Sequence, residues 1–148
     1  WVLPVAKVLD QLGARTAWVV HGAGGLDELA TNGKTQVASL ENGQIKQFNI
    51  SPKDANLPLC DITDLRGGTA AFNAIALNAL LDGKKSGYRD TALLTAAAGL
   101  IVAGETSDLK SGVEIAAESV DSGKARKALE RMIEISNEVV MDEEVSHD

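Results

Sequence analysis

The sequence predicts an α/β fold, a mixed and mostly parallel sheet flanked by helices, on three observations. A short apolar run, Thr16-Ala17-Trp18-Val19-Val20, leads directly into a glycine-rich turn, His21-Gly22-Ala23-Gly24-Gly25. An amphipathic helix precedes that run across a tight link, and helix, link, strand and glycine turn in this order is the grammar of a parallel sheet. A strand pair split by Asn42-Gly43 follows, and it makes the sheet mixed.

Taken in order, Val2, Val5, Leu9 and Leu12 recur at helical spacing, with Pro4 in the first turn and Gly13 at the end. A chain that opens on Trp1 inside such a helix reads as a fragment. Residues 16–20 read as a buried strand. Thr35 to Leu40 and Gln44 to Ile50 read as a hairpin with Val37 and Phe48 in the core, and Ser51 to Pro58 as a loop. From Gly67 the chain is helical: Thr69 to Leu81, then a buried helix from Asp90 to Ala103, then Leu109 to Val120 and Lys124 to Ser136. In the last of these Ala125, Leu129, Met132 and Ile133 form the apolar stripe. The expected organisation is a single α/β unit over residues 1–138 and an acidic, frayed tail over 139–148.

The 148 residues suffice for one core, and 45% hydrophobic residues place the chain among globular proteins. With 14 basic and 21 acidic residues the net charge is −7, which argues against nucleic acid as the partner. One cysteine excludes an intrachain disulfide, and two histidines exclude a multi-His metal site. Leu93 to Ala103, the most apolar stretch, is too short to cross a bilayer, so no membrane is expected. No signal-sequence pattern opens the chain, which makes the cytoplasm the default compartment.

Chemistry is expected at the carboxyl end of residues 16–20, where parallel sheets gather ligands. Asp27 and Glu28 are adjacent carboxylates, the oxygen ligands that suit magnesium with a substrate phosphate. Gly24 and Gly25 allow positive φ and close approach of a ligand to the backbone. On spacing alone, acids opening a helix at its positive end explain the pair better. His21 is either a substrate-orienting group or a half-buried histidine satisfied by a carbonyl. Cys60 has no basic neighbour to lower its pKa and reads as an inert small hydrophobe. Arg66-Gly67-Gly68-Thr69 reads as an anion nest or as a turn and a helix cap. Lys84-Lys85 reads as an exposed turn.

Val19-Val20-His21-Gly22-Ala23-Gly24-Gly25-Leu26-Asp27-Glu28 closely resembles a segment of the anthranilate phosphoribosyltransferases. Val8-Leu9-Asp10-Gln11-Leu12-Gly13 before it carries the likeness upstream. Gly67-Gly68, Asn73-Ala74, Leu80-Leu81-Asp82-Gly83, Arg89-Asp90, the Ala-rich helix and Ser122-Gly123-Lys124-Ala125 carry it through nearly the whole chain. The resemblance implies the C-terminal part of a catalytic α/β domain of nucleoside phosphorylase/phosphoribosyltransferase type. It implies transfer of phosphoribosyl from phosphoribosyl pyrophosphate (PRPP) to anthranilate, with loss of pyrophosphate, in tryptophan biosynthesis. By resemblance Asp27 and Glu28 hold Mg2+ against the pyrophosphate, while His21, Gly22, Gly24 and Gly25 support the substrate loop. The whole protein is then expected to be a homodimer.

The family's pyrophosphate loop and anthranilate channel lie upstream of Trp1, so the chain needs a missing N-terminal half and is expected to be inactive alone. Thr95 stands where family members often carry Asn, and its hydroxyl is expected to keep a hydrogen bond. A pyrimidine nucleoside phosphorylase-like enzyme shares the architecture and is the enzymatic alternative. A non-catalytic scaffold relative is the alternative from another class.

Overall fold

The computed structural model describes residues 1–144, with side chains as far as Glu138. The hairpin forms where Asn42-Gly43 directs it: φ of 48° and 79° at these two residues give the mirror-image turn whose twist matches the flanking strands. Strand β2 (Thr35–Glu41) thereby pairs antiparallel with β3 (Gln44–Ile50), in register from Glu41 with Gln44 to Thr35 with Ile50.

Strand β1 (Thr16–His21) lies on the other side of β2, with Thr16 opposite Glu41 and His21 opposite Gln36. That pairing is also antiparallel, so the order is β1-β2-β3 with no parallel pair among the described strands. The α/β class holds, but the mostly parallel expectation does not hold for this part of the sheet. The reason is the β1–β2 connection. A parallel return needs a crossover, usually a helix of some length, and residues 22–34 contain only a three-residue 3-10 turn at Ala23–Gly25.

The two faces of the sheet bury against different helices. Helix α1 (Val2–Gln11) covers the face that carries Ala38 and Leu40, with Ala6 fully enclosed. On the opposite face Trp18, Val20, Val37 and Ile50 pack against Leu94, Ala97 and Ala98 of α3 (Gly87–Ala103). Phe48 shares this face but is 38% exposed, because β3 is an edge strand; it meets Trp18 edge-on with ring centroids 5.5 Å apart. β1 is likewise half-buried rather than buried, its other edge having no partner among the described strands.

Two 3-10 turns, Pro52–Ala55 and Ile62–Leu65, follow β3, and helices α2 (Ala70–Leu81), α4 (Leu109–Asp121) and α5 (Lys124–Glu144) complete the element order among the described residues. Each of α2, α3 and α4 starts at a side-chain cap: Thr69, Ser86 and Asp108 accept from Phe72, Arg89 and Ser111 N–H. Ser86 starts α3 one turn earlier than the apolar pattern suggests. Helices α3 and α4 cross at Gly112, where a β-carbon would stand 2.7 Å from that of Ala97. A second apolar cluster joins Leu80, Leu81, Leu93, Ala116 and Val120. The α5 stripe reaches it through Ala125 and Leu129, whereas Met132 and Ile133 are exposed. Helix α5 continues past Ser136 to Glu144, and the acidic tail expected there continues outside the described residues.

Candidate functional site

The loop after β1 folds back on itself within seven residues. Gly22 N–H donates to the Leu26 carbonyl at 2.8 Å, and Gly25 N–H donates to the Gly22 carbonyl at 3.3 Å. Gly24 and Gly25 have φ of 73° and 83°, the left-handed region in which side chains are strained. Gly22 has another constraint: a β-carbon there would run into the Glu28 carbonyl oxygen. The glycines therefore bring the two ends of the turn into contact.

Asp27 and Glu28 lie on the exposed side of this fold-back, in a bend. No helix begins after them, so they cap nothing and the helix-opening explanation fails. Leu29, Ala30 and Thr31 then turn inward and are buried. Asn32 anchors the return, its side-chain amide donating to the Ala23 carbonyl at 3.2 Å. The pair is thus lifted into solvent between two fixed points. Carboxylates so placed keep their lone pairs available to an outside cation.

The structure brings Gly22, Gly24, Gly25, Asp27 and Glu28 into one loop and sets His21 at its edge. His21 is exposed rather than half-buried. It lines a groove of about 350 Å³ between α1 and β1, whose other walls are Trp1, Val2, Val5, Val19, Val20 and Gln36. Neither acid belongs to that groove.

The remaining candidates resolve into local structure. Gly68 N–H donates to Asn73 Oδ1 at 2.9 Å and Thr69 caps α2, so the Arg66–Thr69 segment is a turn and cap; neither Gly67 nor Gly68 has positive φ. Cys60 is half-buried, with Sγ 3.2 Å from Thr31 Oγ1. Lys84 and Lys85 are exposed. The Thr95 hydroxyl departs from expectation, being buried with no hydrogen-bond partner among the described residues.

Residues 1–126 match the model of the glycosyl transferase family, a/b domain. The chain belongs to this family. Among its relatives, the anthranilate phosphoribosyltransferase of Bradyrhizobium sp. (strain ORS 278) is 56% identical over 137 residues, 93% of this chain and 41% of the relative. The chain thus spans about two-fifths of the length of the curated relatives that it matches. A crystal structure of the Thermus thermophilus anthranilate phosphoribosyltransferase superposes with a TM-score of 0.79 at 37% identity, over 88% of this chain and 38% of that one. The Saccharomyces cerevisiae enzyme in complex with PRPP and Mg gives 0.80 at 25% identity, over 90% and 39%. The fold of this chain is accordingly of the nucleoside phosphorylase/phosphoribosyltransferase type.

Sequence reasoning missed the supports of the loop, Thr31, Asn32 and Thr91. Asn32-Gly33 carried a turn signal, but a lone threonine on a helix carries none.

Proposed function

We propose that this chain is the C-terminal part of the catalytic domain of an anthranilate phosphoribosyltransferase. In this reading Asp27 and Glu28 hold Mg2+ at the pyrophosphate of PRPP. The observation that carries it is the fold-back at Gly22–Glu28, which exposes two adjacent carboxylates after a strand and gives them no capping role. Likeness to the Bradyrhizobium relative and to the yeast enzyme supports the same assignment.

The donor set fits the ion. Mg2+ takes one or two carboxylates and fills its other positions with water and phosphate oxygens. Among the described residues no group of three or more His, Cys, Asp or Glu side chains gathers as a cage, so two acids sharing the ion with a substrate matches what is present. Bound there, the ion would offset charge on the departing pyrophosphate. The chain's own share is to hold the acids at a fixed place, through Gly22, Gly24 and Gly25, and to border the site with His21. Anthranilate binding, the rest of the PRPP grip and a homodimer interface fall to the portion that the relatives carry beyond this chain. Among the described residues no helix is long and apolar enough to cross a membrane, and we assign the whole protein to the cytoplasm.

The test joins this chain to the upstream part of the Bradyrhizobium relative and replaces Asp27 or Glu28 with Ala. Both side chains are exposed, so denaturant melts should move by no more than about 0.5 kcal/mol. Turnover should fall by about a hundredfold or more, since charge stabilisation at a leaving group supplies several kcal/mol. Part of the loss should return at high Mg2+. Unchanged turnover in both variants would sink the assignment.

A further inference from the structure

Four residues beyond Asp27, the chain enters a buried knot of side chains. Thr31 is 0% exposed and its hydroxyl lies 2.6 Å from that of Thr91 on α3. Thr31 N–H donates to the same Thr91 oxygen at 3.3 Å, so both polar groups of Thr31 that can donate converge on one side chain. The Thr31 hydroxyl also lies 3.3 Å from the Gly87 carbonyl and 3.2 Å from Cys60 Sγ, and Cys60 N–H donates to the Thr31 carbonyl at 3.0 Å. Three segments distant in sequence meet there: the end of the acidic loop, the stretch at Cys60, and the first turns of α3. At Gly87 the contact is so close that a β-carbon would stand 2.6 Å from that of Cys60.

Beyond this knot, the far end of the loop is held by the Asn32 amide on the Ala23 carbonyl, one residue further along the chain, and by apolar packing. Leu29 and Ala30 are buried apolar residues, and apolar packing is non-directional. Hydrogen bonds fix orientation, and inside a low-dielectric core they do so strongly. The knot is therefore the directional anchor nearest Asp27 and Glu28 on their C-terminal side. The fold-back at Gly22 is its counterpart on the other side.

We propose that Thr91, acting through Thr31, is a positioning residue that sets where the two carboxylates stand for Mg2+ and PRPP. The inference rests on the metal reading of Asp27 and Glu28. It adds that α3, a helix with no residue in the loop, holds the loop in its binding geometry.

The experiment uses the same joined protein. Mg2+ binding in the presence of PRPP is measured by titration calorimetry, beside KM for PRPP and thermal melts. Thr91→Val keeps the shape of the side chain and removes the hydroxyl; Thr31→Val breaks the same bond from the other side. Both should weaken Mg2+ binding by about tenfold, as losing the groups that orient metal ligands does. KM for PRPP should rise with it. Thr91→Ser, which keeps the hydroxyl, should bind as the parent does. A Thr91→Val protein that melts lower yet binds Mg2+ normally would reduce Thr91 to a structural role and overturn the proposal. A serine variant as weak as the valine one would overturn it too. Asp27→Ala separates the two levels. If it binds Mg2+ normally, the metal reading fails and this inference with it; if it binds weakly while both valine variants bind normally, only this inference fails.

Discussion

At Gly22 the torsions, φ −78° and ψ 162°, suit any residue, and the restriction is spatial. Gly22→Ala would place a methyl group against the Glu28 carbonyl. The clash should cost about 1–3 kcal/mol, the usual penalty for forcing an extra carbon into a packed place. Chemical denaturation would read that loss, and calorimetry should show weakened Mg2+ binding in the joined protein. Thr95 behaves in the opposite sense. Its hydroxyl is buried and unpaired among the described residues, which costs the desolvation of a polar group with nothing returned. Thr95→Val keeps the branched shape and should raise stability by about 1 kcal/mol in a denaturant melt. A loss of stability would mean that the hydroxyl has a partner after all.

Helices α3 and α4 are tied by one ion pair as well as by apolar contact. Arg89 is 1% exposed, and its Nη1 and Nη2 donate to the two Asp121 oxygens at 2.8 and 3.0 Å. The Arg89 hydrogen bonds hold the Asp121 carboxyl below its ordinary range, against the opposing effect of desolvation. A carboxyl with a lowered native pKa stabilises the fold fully above its unfolded value, about 4. That stability is lost as pH falls through the lowered native value. Asp90 acts the other way, since burial raises its pKa despite nearby Arg89 and Lys85. Asp121→Asn should therefore lower the melting temperature at pH 7 and flatten the acid limb of the stability–pH curve below about pH 4. An acid limb identical to the parent's would count against the pair.

These elements were legible in the sequence to different depths. Asn42-Gly43 specified the hairpin register, 3.6-residue periodicity located α1, α4 and α5, and runs dense in Ala and Leu located α2 and α3, because all of these signals are local. The direction of β1 was not legible: it depends on whether residues 22–34 contain a crossover helix, and glycines there resemble a parallel strand's exit. Phe48, Met132 and Ile133 are apolar in pattern yet exposed, since burial is decided by what covers an element. The acidic pair was legible as chemistry, but its rival role as a helix start was removed only by the fold. Thr31 and Thr91, 60 residues apart, share no motif that could announce their contact.

Several apolar surfaces remain open across the molecule. Trp1 is 95% exposed beside α1, Ile75 is 71% exposed on α2, and Phe72 lies exposed on the same helix. The outer backbone edge of β1 has no partner among the described strands, and Thr16 to Val20 hold no charge or proline to discourage pairing. The relatives carry further chain, about three-fifths of their length, and we expect it to cover these surfaces. Expressed alone, this chain should show no turnover of anthranilate with PRPP and Mg2+, followed by anthranilate fluorescence, and it should self-associate in sedimentation velocity. Adding the upstream part of the Bradyrhizobium relative as a separate chain should convert the aggregate to a defined complex. A compact monomer with robust activity would refute this expectation.

The meander order β1-β2-β3 also bears on how quickly the sheet can assemble. Each strand pairs with its immediate successor, so no pairing here waits for a distant segment to arrive. The two-residue turn at Asn42-Gly43 closes a very short loop, and isolated hairpins form in about 1–10 μs. β1 then has only residues 22–34 to fold across before it finds β2. The acidic loop is that closing segment, so its fold-back is formed by the same event that joins β1 to the hairpin. Low contact order of this kind favours fast folding. The acidic loop is therefore shaped early in folding, ahead of the long-range contact between Thr31 and Thr91 of α3.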